Sequence, residues 1–261
     1  MPTCPDALTP SVLPVIEGRA WDCIDFISDL HLCEQQPRTL EILRDYLAST
    51  PAQALFILGD LFEVWVGDDW LQAPSAAFER DCVNVLQQAA QRMAVYFMCG
   101  NRDFLVGPSL LDSAGLRTLT DPAVLHTANE RVLMSHGDAW CLDDTEYLEF
   151  RAQVRSASWQ QAFLARPLQE RARLARDMRN ESETRKRHHT TYADVDDALA
   201  EDWLRLNTAQ VLVHGHTHRP ATHTLPSGAQ RHVLSDWDAD ATPSRAQVLR
   251  WQGAWHRVDL V

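Results

Sequence analysis

The stretch Cys23-Ile24-Asp25-Phe26-Ile27-Ser28-Asp29-Leu30-His31 decides the fold. An apolar run that stops at a polar residue reads as a buried strand delivering a side chain to the edge of a sheet. The pattern recurs along the chain. Ala54–Gly59 runs into Asp60, Ala94–Gly100 into Asn101 and Arg131–Ser135 into His136, while Val211–Val213 leads to His216 and His218. Between the early runs lie a helical stretch near Arg38–Ala48, a longer one near Ser75–Arg92 with apolar Phe78, Cys82, Val85, Leu86 and Ala89, and a short one near Pro108–Ser113. Strand and helix in alternation predict an α/β fold whose sheet carries helices on both faces.

Val124–His126 and Arg131–Ser135, separated by Ala128–Glu130, read as a hairpin. From Tyr147 to about Leu206 the pattern is helical throughout, and strands return at Val211–Val213, Ala221–Leu225, Arg231–Leu234, Ala246–Trp251 and Trp255–Val258. A helical block between two strands that carry candidate site residues predicts a cap, residues 147–206, inserted into a core of residues 21–146 and 207–261. Residues 1–20 are expected to form a loose N-terminal extension, because prolines interrupt their apolar stretches and no basic segment precedes them. No apolar run approaches the length of a membrane span, so membrane contact would be peripheral.

The net charge of −12 argues against a general nucleic-acid binder, which is usually basic. Six cysteines without a C-x-x-C pair point to reduced thiols in the cytosol. Residues 151–189 are the electrostatic exception, with ten Lys/Arg against four acids, a local charge of +6. Trp159, Phe163, Leu164, Leu168, Leu174 and Met178 are interleaved with these charges. A basic helix with an apolar side suits an anionic lipid-like ligand or a membrane surface; the plainer alternative is a solvated basic face over ordinary core positions.

Seven metal-type ligands stand at the strand ends: Asp29, His31, Asp60, Asn101, His136, His216 and His218. Singly, each reads as a capping Asp or a hydrogen-bonded core His. Together, carboxylates, imidazoles and one amide at a shared edge can hold two divalent cations, an arrangement used for phosphoester hydrolysis. No cysteine has zinc-finger spacing, and no G-x-S-x-G elbow signals a serine hydrolase.

The series D-x-H, GD, GN, GH and GHTH resembles the calcineurin-like metallophosphoesterase superfamily. Three elements narrow the likeness: Gly59-Asp60-Leu61-Phe62-Glu63-Val64-Trp65, Gly100-Asn101-Arg102-Asp103-Phe104 and His214-Gly215-His216-Thr217-His218-Arg219-Pro220. With these, the chain resembles the UDP-2,3-diacylglucosamine pyrophosphatase family over about residues 22–235. Ser235-Asp236-Trp237-Asp238 departs from that family's pattern at the C-terminal end. The resemblance implies a metallophosphoesterase β-sandwich of two mixed sheets flanked by helices, with an inserted helical cap. It implies one metal on Asp29, His31, Asp60 and His218 and another on Asp60, Asn101, His136 and His216, with manganese as the ion. The implied reaction is in-line attack of water on the α-phosphorus of UDP-2,3-diacylglucosamine, releasing UMP and 2,3-diacylglucosamine 1-phosphate. Asp60, Asn101, Arg102 and His216 are the implied catalytic residues. Asn101, Arg102 and His216 are also expected at the substrate, with Asp144 on the sugar and Ser182, Lys186 and His189 at the head group.

Most of the superfamily has histidine where this chain has Arg102. A pyrophosphate cleaved at the nucleotide phosphorus releases a sugar phosphate, a weak base that needs little protonation. A permanent guanidinium clamping phosphate oxygens is then more useful than an acid. The plainer reading of Arg102 is a salt-bridge partner of Asp103, a role compatible with the first. The implied location is the cytoplasm, peripherally on the cytoplasmic face of the inner membrane, with no nucleic-acid partner. Another two-metal phosphoesterase, acting on nucleotides, phosphoproteins or DNA ends, and a non-catalytic metal-binding scaffold are the competing readings.

Overall fold

Ile24–Ile27 (β2) is buried along its whole length and pairs in parallel with Ala54–Leu58 (β3). The computed structural model describes residues 7–188 and 193–261. From β3 the parallel run continues through Ala94–Met98 (β4) to the short Arg117–Leu119 (β5). Helices Pro37–Ser49 (α1), Ala77–Ala90 (α2) and Pro108–Ala114 (α3) make the crossovers. Helix α3 starts at a proline, whose missing N–H costs nothing in a first turn. It ends at Gly115 with φ of 69°, where Leu116 N–H bonds back to Leu111 O at 2.8 Å. On its other side β2 pairs antiparallel with Gln247–Trp251 (β11), which pairs with Trp255–Asp259 (β12). The sheet order is β12-β11-β2-β3-β4-β5.

A second six-stranded mixed sheet holds Val15–Glu17 (β1), Ala123–His126 (β6), Arg131–Ser135 (β7), Val211–His214 (β8), Ala221–Thr224 (β9) and Gln230–Val233 (β10), in the order β1-β6-β7-β8-β10-β9. β6 and β7 form the antiparallel hairpin read from sequence. The alternation of side chains along each strand sets the layers. Phe26, Phe56, Leu58 and Met98 face Leu125, Val132, Met134 and Val213 between the sheets. Ile27, Leu55, Ile57 and Val95 face outward onto Leu43, Cys82 and Leu86 of α1 and α2. Two mixed sheets flanked by helices are the architecture the family resemblance implied; the sheet with helices on both faces read from the strand–helix alternation is not what forms, because the second sheet covers the inner face of the first.

Two boundaries differ from expectation. Residues 7–17 are packed against the second sheet, with Val15–Glu17 joining it as a strand, rather than forming a loose extension. β1 pairs in parallel with β6, and Ala7 and Leu13 are buried. The indoles of Trp140 and Trp203 both donate to Ala7 O (2.9 and 3.1 Å), and Asn207 bonds Leu13 N and Ser11 O. Sequence gave no warning, because a three-residue edge strand has too short a period to read. The cap is also shorter than residues 147–206. It comprises Thr145–Arg155 (α4), Ala157–Leu164 (α5) and Leu168–His188 (α6). Asp197–Leu206 (α7) instead covers the outer face of the second sheet through Ala200, Trp203 and Leu204. Within the cap, Phe163 is buried, and Trp159, Leu168, Leu174 and Met178 pack on the α1–α3 layer. Those apolar residues are thus committed to the core; Leu164 is the exposed one.

Asp25 sits in β2 at 0% exposure, facing α1. Arg250 of β11 reaches it with Nε at 2.7 Å and Nη2 at 2.8 Å, while Tyr46 and Thr50 hydroxyls donate at 2.7 and 2.8 Å. Removing one partner of such a pair strands a buried charge. Arg250→Met is therefore expected to cost about 3–5 kcal/mol in urea unfolding. A cost below about 1 kcal/mol, the range of exposed pairs, would contradict this.

Candidate metal centre

The carboxyl ends of β2, β3, β4, β7 and β8 open at one edge, the usual place for a site on parallel strands. Asp29 and His31 leave β2, Asp60 leaves β3, Asn101 leaves β4, His136 leaves β7, and His216 and His218 follow β8. Backbone pairing continues past the strands: Asp29 N donates to Gly59 O, His31 N to Asp60 O and Leu32 N to Leu61 O, at 2.9–3.0 Å. These bonds set the first two loops side by side.

Asp29, His31, Asp60, His216 and His218 all adopt left-handed backbone, with φ of 56°, 49°, 52°, 66° and 53°. Among the described non-glycine residues only Thr208 joins them. Each such residue costs about 1–3 kcal/mol, and strain of this kind collects at functional sites. Two glycines make the crowding possible: a Cβ at Gly100 would run into Asp60 Oδ1, and one at Gly215 into Asp29 Oδ2.

All seven side chains meet. His31 Nε2 lies 3.3 Å from His218 Nε2, which lies 3.2 Å from Asp29 Oδ1. Asn101 Oδ1 lies 3.0 Å from His136 Nε2 and 2.9 Å from His216 Nδ1. His136 Nε2 is 3.7 Å from Asp60 Oδ1. The donor atoms of Asp29, His31 and His218 form one tight group and those of Asp29, Asp60 and His136 another.

This donor set fits divalent cations. His136 Nδ1 lies 2.9 Å from Leu58 O and must donate to it, which leaves Nε2 facing the Asn101 and Asp60 oxygens. Lone pair then faces lone pair unless a cation or a proton stands between them. Burial opposes a charge on His136, yet Asp60, Asp138 and Asp29 outweigh it and push its pKa up to about 9. Burial likewise opposes the charge on Asp29, but His218, His136 and His31 hold it well below the usual carboxylate range. Burial pushes His214 down to about 4, so it stays neutral, with Nδ1 donating to Gly215 O.

Asp103 is buried and accepts N–H bonds from Gly100 (2.7 Å) and Leu61 (2.8 Å), tying the Asn101 loop to the Asp60 loop. It is therefore not the partner of Arg102, whose Nη1 lies 3.4 Å from Glu63 Oε1 and whose backbone N donates to Asp60 Oδ1. Asp144 is the N-cap of α4, accepting from Tyr147 N at 3.1 Å. Ser182 and Lys186 fall on α6, but their side chains lie outside what is described, and His189 lies outside the described residues.

Sequence reasoning passed over one supporting face. Tyr147, Arg151 and Arg155 stand four apart along α4, hence on one stripe. The Tyr147 hydroxyl bonds Asp138, and its ring lies 6.0 Å from that of His216. Arg151 Nε bonds Asp138 at 2.8 Å, and Arg155 Nη2 bonds Gly100 O at 2.8 Å. Burial opposes the charge of Asp138, but Arg151 and His136 keep it well below the usual carboxylate range. The i, i+4, i+8 spacing was the available signal.

The chain belongs to the calcineurin-like phosphoesterase family, whose sequence model matches residues 24–220. Within it, the chain is 44% identical over 241 residues to the protein named UDP-2,3-diacylglucosamine hydrolase from Aromatoleum aromaticum, covering 90% of this chain and 95% of that one. The protein of the same name from Bordetella pertussis is 39% identical over 251 residues, 94% of this chain and 93% of the other. Among solved structures, a dimetal phosphatase from Danio rerio aligns with a TM-score of 0.50 at 15% identity, over 92% of this chain and 99% of that one, a likeness of fold.

Proposed function

We propose that this protein hydrolyses the pyrophosphate of UDP-2,3-diacylglucosamine at the α-phosphorus, giving UMP and 2,3-diacylglucosamine 1-phosphate. The convergence of seven metal-type donors with Arg102 at the shared end of the two sheets carries this reading, and the relatives' names point to the substrate. Asp29, His31, Asp60 and His218 would hold one divalent ion, and Asp60, Asn101, His136 and His216 the other. Bound there, the ions would lower the pKa of the attacking water and offset charge on the phosphoryl oxygens. Manganese is the ion we assign, in keeping with the mixed oxygen and nitrogen donors.

The side chains divide the remaining work. Leu58 O fixes the His136 tautomer, and Asp138, held by Arg151 and Tyr147, lies within electrostatic reach of His136 and His216. Arg102, held through its own N–H on Asp60, presents its guanidinium to phosphate oxygens. The bond broken joins the α-phosphorus to the bridging oxygen, and the leaving sugar phosphate needs no acid. Asp144, Ser182, Lys186 and His189 would meet the glucosamine side of the substrate from the cap. No helix among the described residues is long and apolar enough to cross a membrane. The cap's basic residues suit peripheral binding at the anionic cytoplasmic face of the inner membrane.

The deciding assay offers the purified protein, with manganese, UDP-2,3-diacylglucosamine, UDP-glucose, p-nitrophenyl phosphate and DNA. UMP release confined to the acylated substrate is the expected result; comparable hydrolysis of p-nitrophenyl phosphate or DNA would overturn the reading. Arg102→Ala is expected to lower kcat by roughly 10²–10³-fold with a smaller change in KM, the loss typical of one transition-state donor. Wild-type kcat would remove the phosphate-clamp role.

A further inference from the structure

Glu63 is 8% exposed and has so far been given no part in the reaction. Its Oε2 lies 2.9 Å from His31 Nδ1. Its Oε1 lies 3.4 Å from Arg102 Nη1 and 3.0 Å from Arg179 Nε. The three partners come from three elements: the loop after β2, the loop after β4 and cap helix α6. The carboxylate itself is pinned by its backbone, since Glu63 N donates to Leu32 O at 3.2 Å, one step beyond the pairing that sets His31 beside Asp60.

Each contact has a physical consequence. The Glu63 carboxylate meets His31 Nδ1 at ion-pair distance and not in aligned hydrogen-bond geometry; its charge there favours the proton on Nδ1 and makes the other nitrogen a better donor to a cation. Here that other nitrogen is His31 Nε2, which faces His218 and the Asp29 side of the centre. Two guanidiniums repel one another and gather at one point only around an anion. Oε1 of Glu63 supplies it, and the fork of N–H donors on a guanidinium suits it to phosphate as well.

We propose that Glu63 is a positioning residue that sets His31 as a metal ligand and holds Arg102 and Arg179 together as a paired guanidinium face for the substrate diphosphate. This rests on the two-metal phosphoesterase reading above. It also gives the cap a direct tie to the metal centre, because Arg179 of α6 and His31 share one carboxylate.

The test titrates manganese into metal-stripped protein by calorimetry, for the wild type, Glu63→Gln and Glu63→Leu. Glutamine keeps an acceptor for His31 without the charge, whereas leucine keeps neither. Manganese should bind one of the two sites roughly 10–100-fold more weakly in Glu63→Leu, with Glu63→Gln between it and the wild type. Should Glu63→Leu fail to fold, the glutamine variant alone decides, by showing weakened binding or not. In the same preparations, Arg179→Met should keep wild-type manganese affinity while KM for UDP-2,3-diacylglucosamine rises about tenfold, the worth of one hydrogen bond to a charged group. Wild-type manganese affinity in both Glu63 variants, or an unchanged KM in Arg179→Met, would overturn the proposal and leave the phosphoesterase reading intact. A wild-type protein that takes up no manganese would overturn both.

Discussion

Asp60→Ala is expected to lower kcat/KM by at least ~10³-fold. The carboxylate is 2% exposed at the exit of β3, 3.7 Å from His136 Nε2, and it accepts the backbone N–H of Arg102 at 2.8 Å. Its loss takes a negative charge from the middle of the donor set and frees the loop that carries Asn101 and Arg102. Alanine also has to adopt φ of 52°, a left-handed conformation that asparagine tolerates better. Asp60→Asn is therefore the sharper variant, because it preserves shape and an oxygen for Arg102 while removing the charge. The same collapse of turnover is expected, with Tm within a few degrees of the metal-stripped wild type. Turnover near the wild-type rate in either variant would exclude Asp60 from the metal set.

Chelation should have the second large effect, on stability as well as rate. An ion present at 1,000 times its Kd adds about 4 kcal/mol to the folded state. For a chain of this size that is roughly 10 °C in Tm. Stripping the ions should abolish turnover and lower Tm by about that amount, and manganese should restore both.

The metal-stripped protein should also respond to pH in a defined sense. His136 has a folded pKa of about 9 against an unperturbed 6.5, so its protonation stabilises the fold fully below pH 6.5. That contribution is lost as pH rises from 6.5 through 9. With manganese bound, the cation replaces the proton and this loss should disappear. Differential scanning fluorimetry at pH 6, 7.5 and 9, with and without manganese, measures it. Parallel curves would refute a proton and a metal competing for His136.

Much of the core was readable because its signals are local. The strands β2, β3, β4, β7 and β8 announced themselves by apolar runs, and each handed a polar residue to the loop that follows. Since parallel strands align their carboxyl ends, the donors after β2, β3 and β4 share one sheet end and those after β7 and β8 share another; the packing of the two sheets brings both ends together. The βαβ units behaved alike: a buried stripe such as Cys82, Val85 and Leu86 repeats at helical spacing whatever it packs against. Features with long-range causes were not readable. Asp25 broke the apolar pattern of β2, and nothing near it in sequence named Arg250 as the reason. Helix α7 has the same amphipathic pattern whether it roofs a site or covers a sheet; Trp203 against Trp140 and Ala7 settled which. Tyr96, Phe56 and Phe26 stack across three strands, a contact set by register and not by any one strand.

The amino-acid order alone determined the α/β plan, the family resemblance and the seven donors, because periodicity and strand-end chemistry are written within a few residues. Tertiary structure decided the rest. It bent Asp29, His31, Asp60, His216 and His218 into left-handed backbone, drew their side chains together, and moved the cap's end back before α7. It also brought Glu63, in the loop after β3, between the β2 loop, the β4 loop and α6. These outcomes depend on which distant segments share a buried space, and burial is where unpaired charge, strain and a lone pair facing a lone pair acquire their cost.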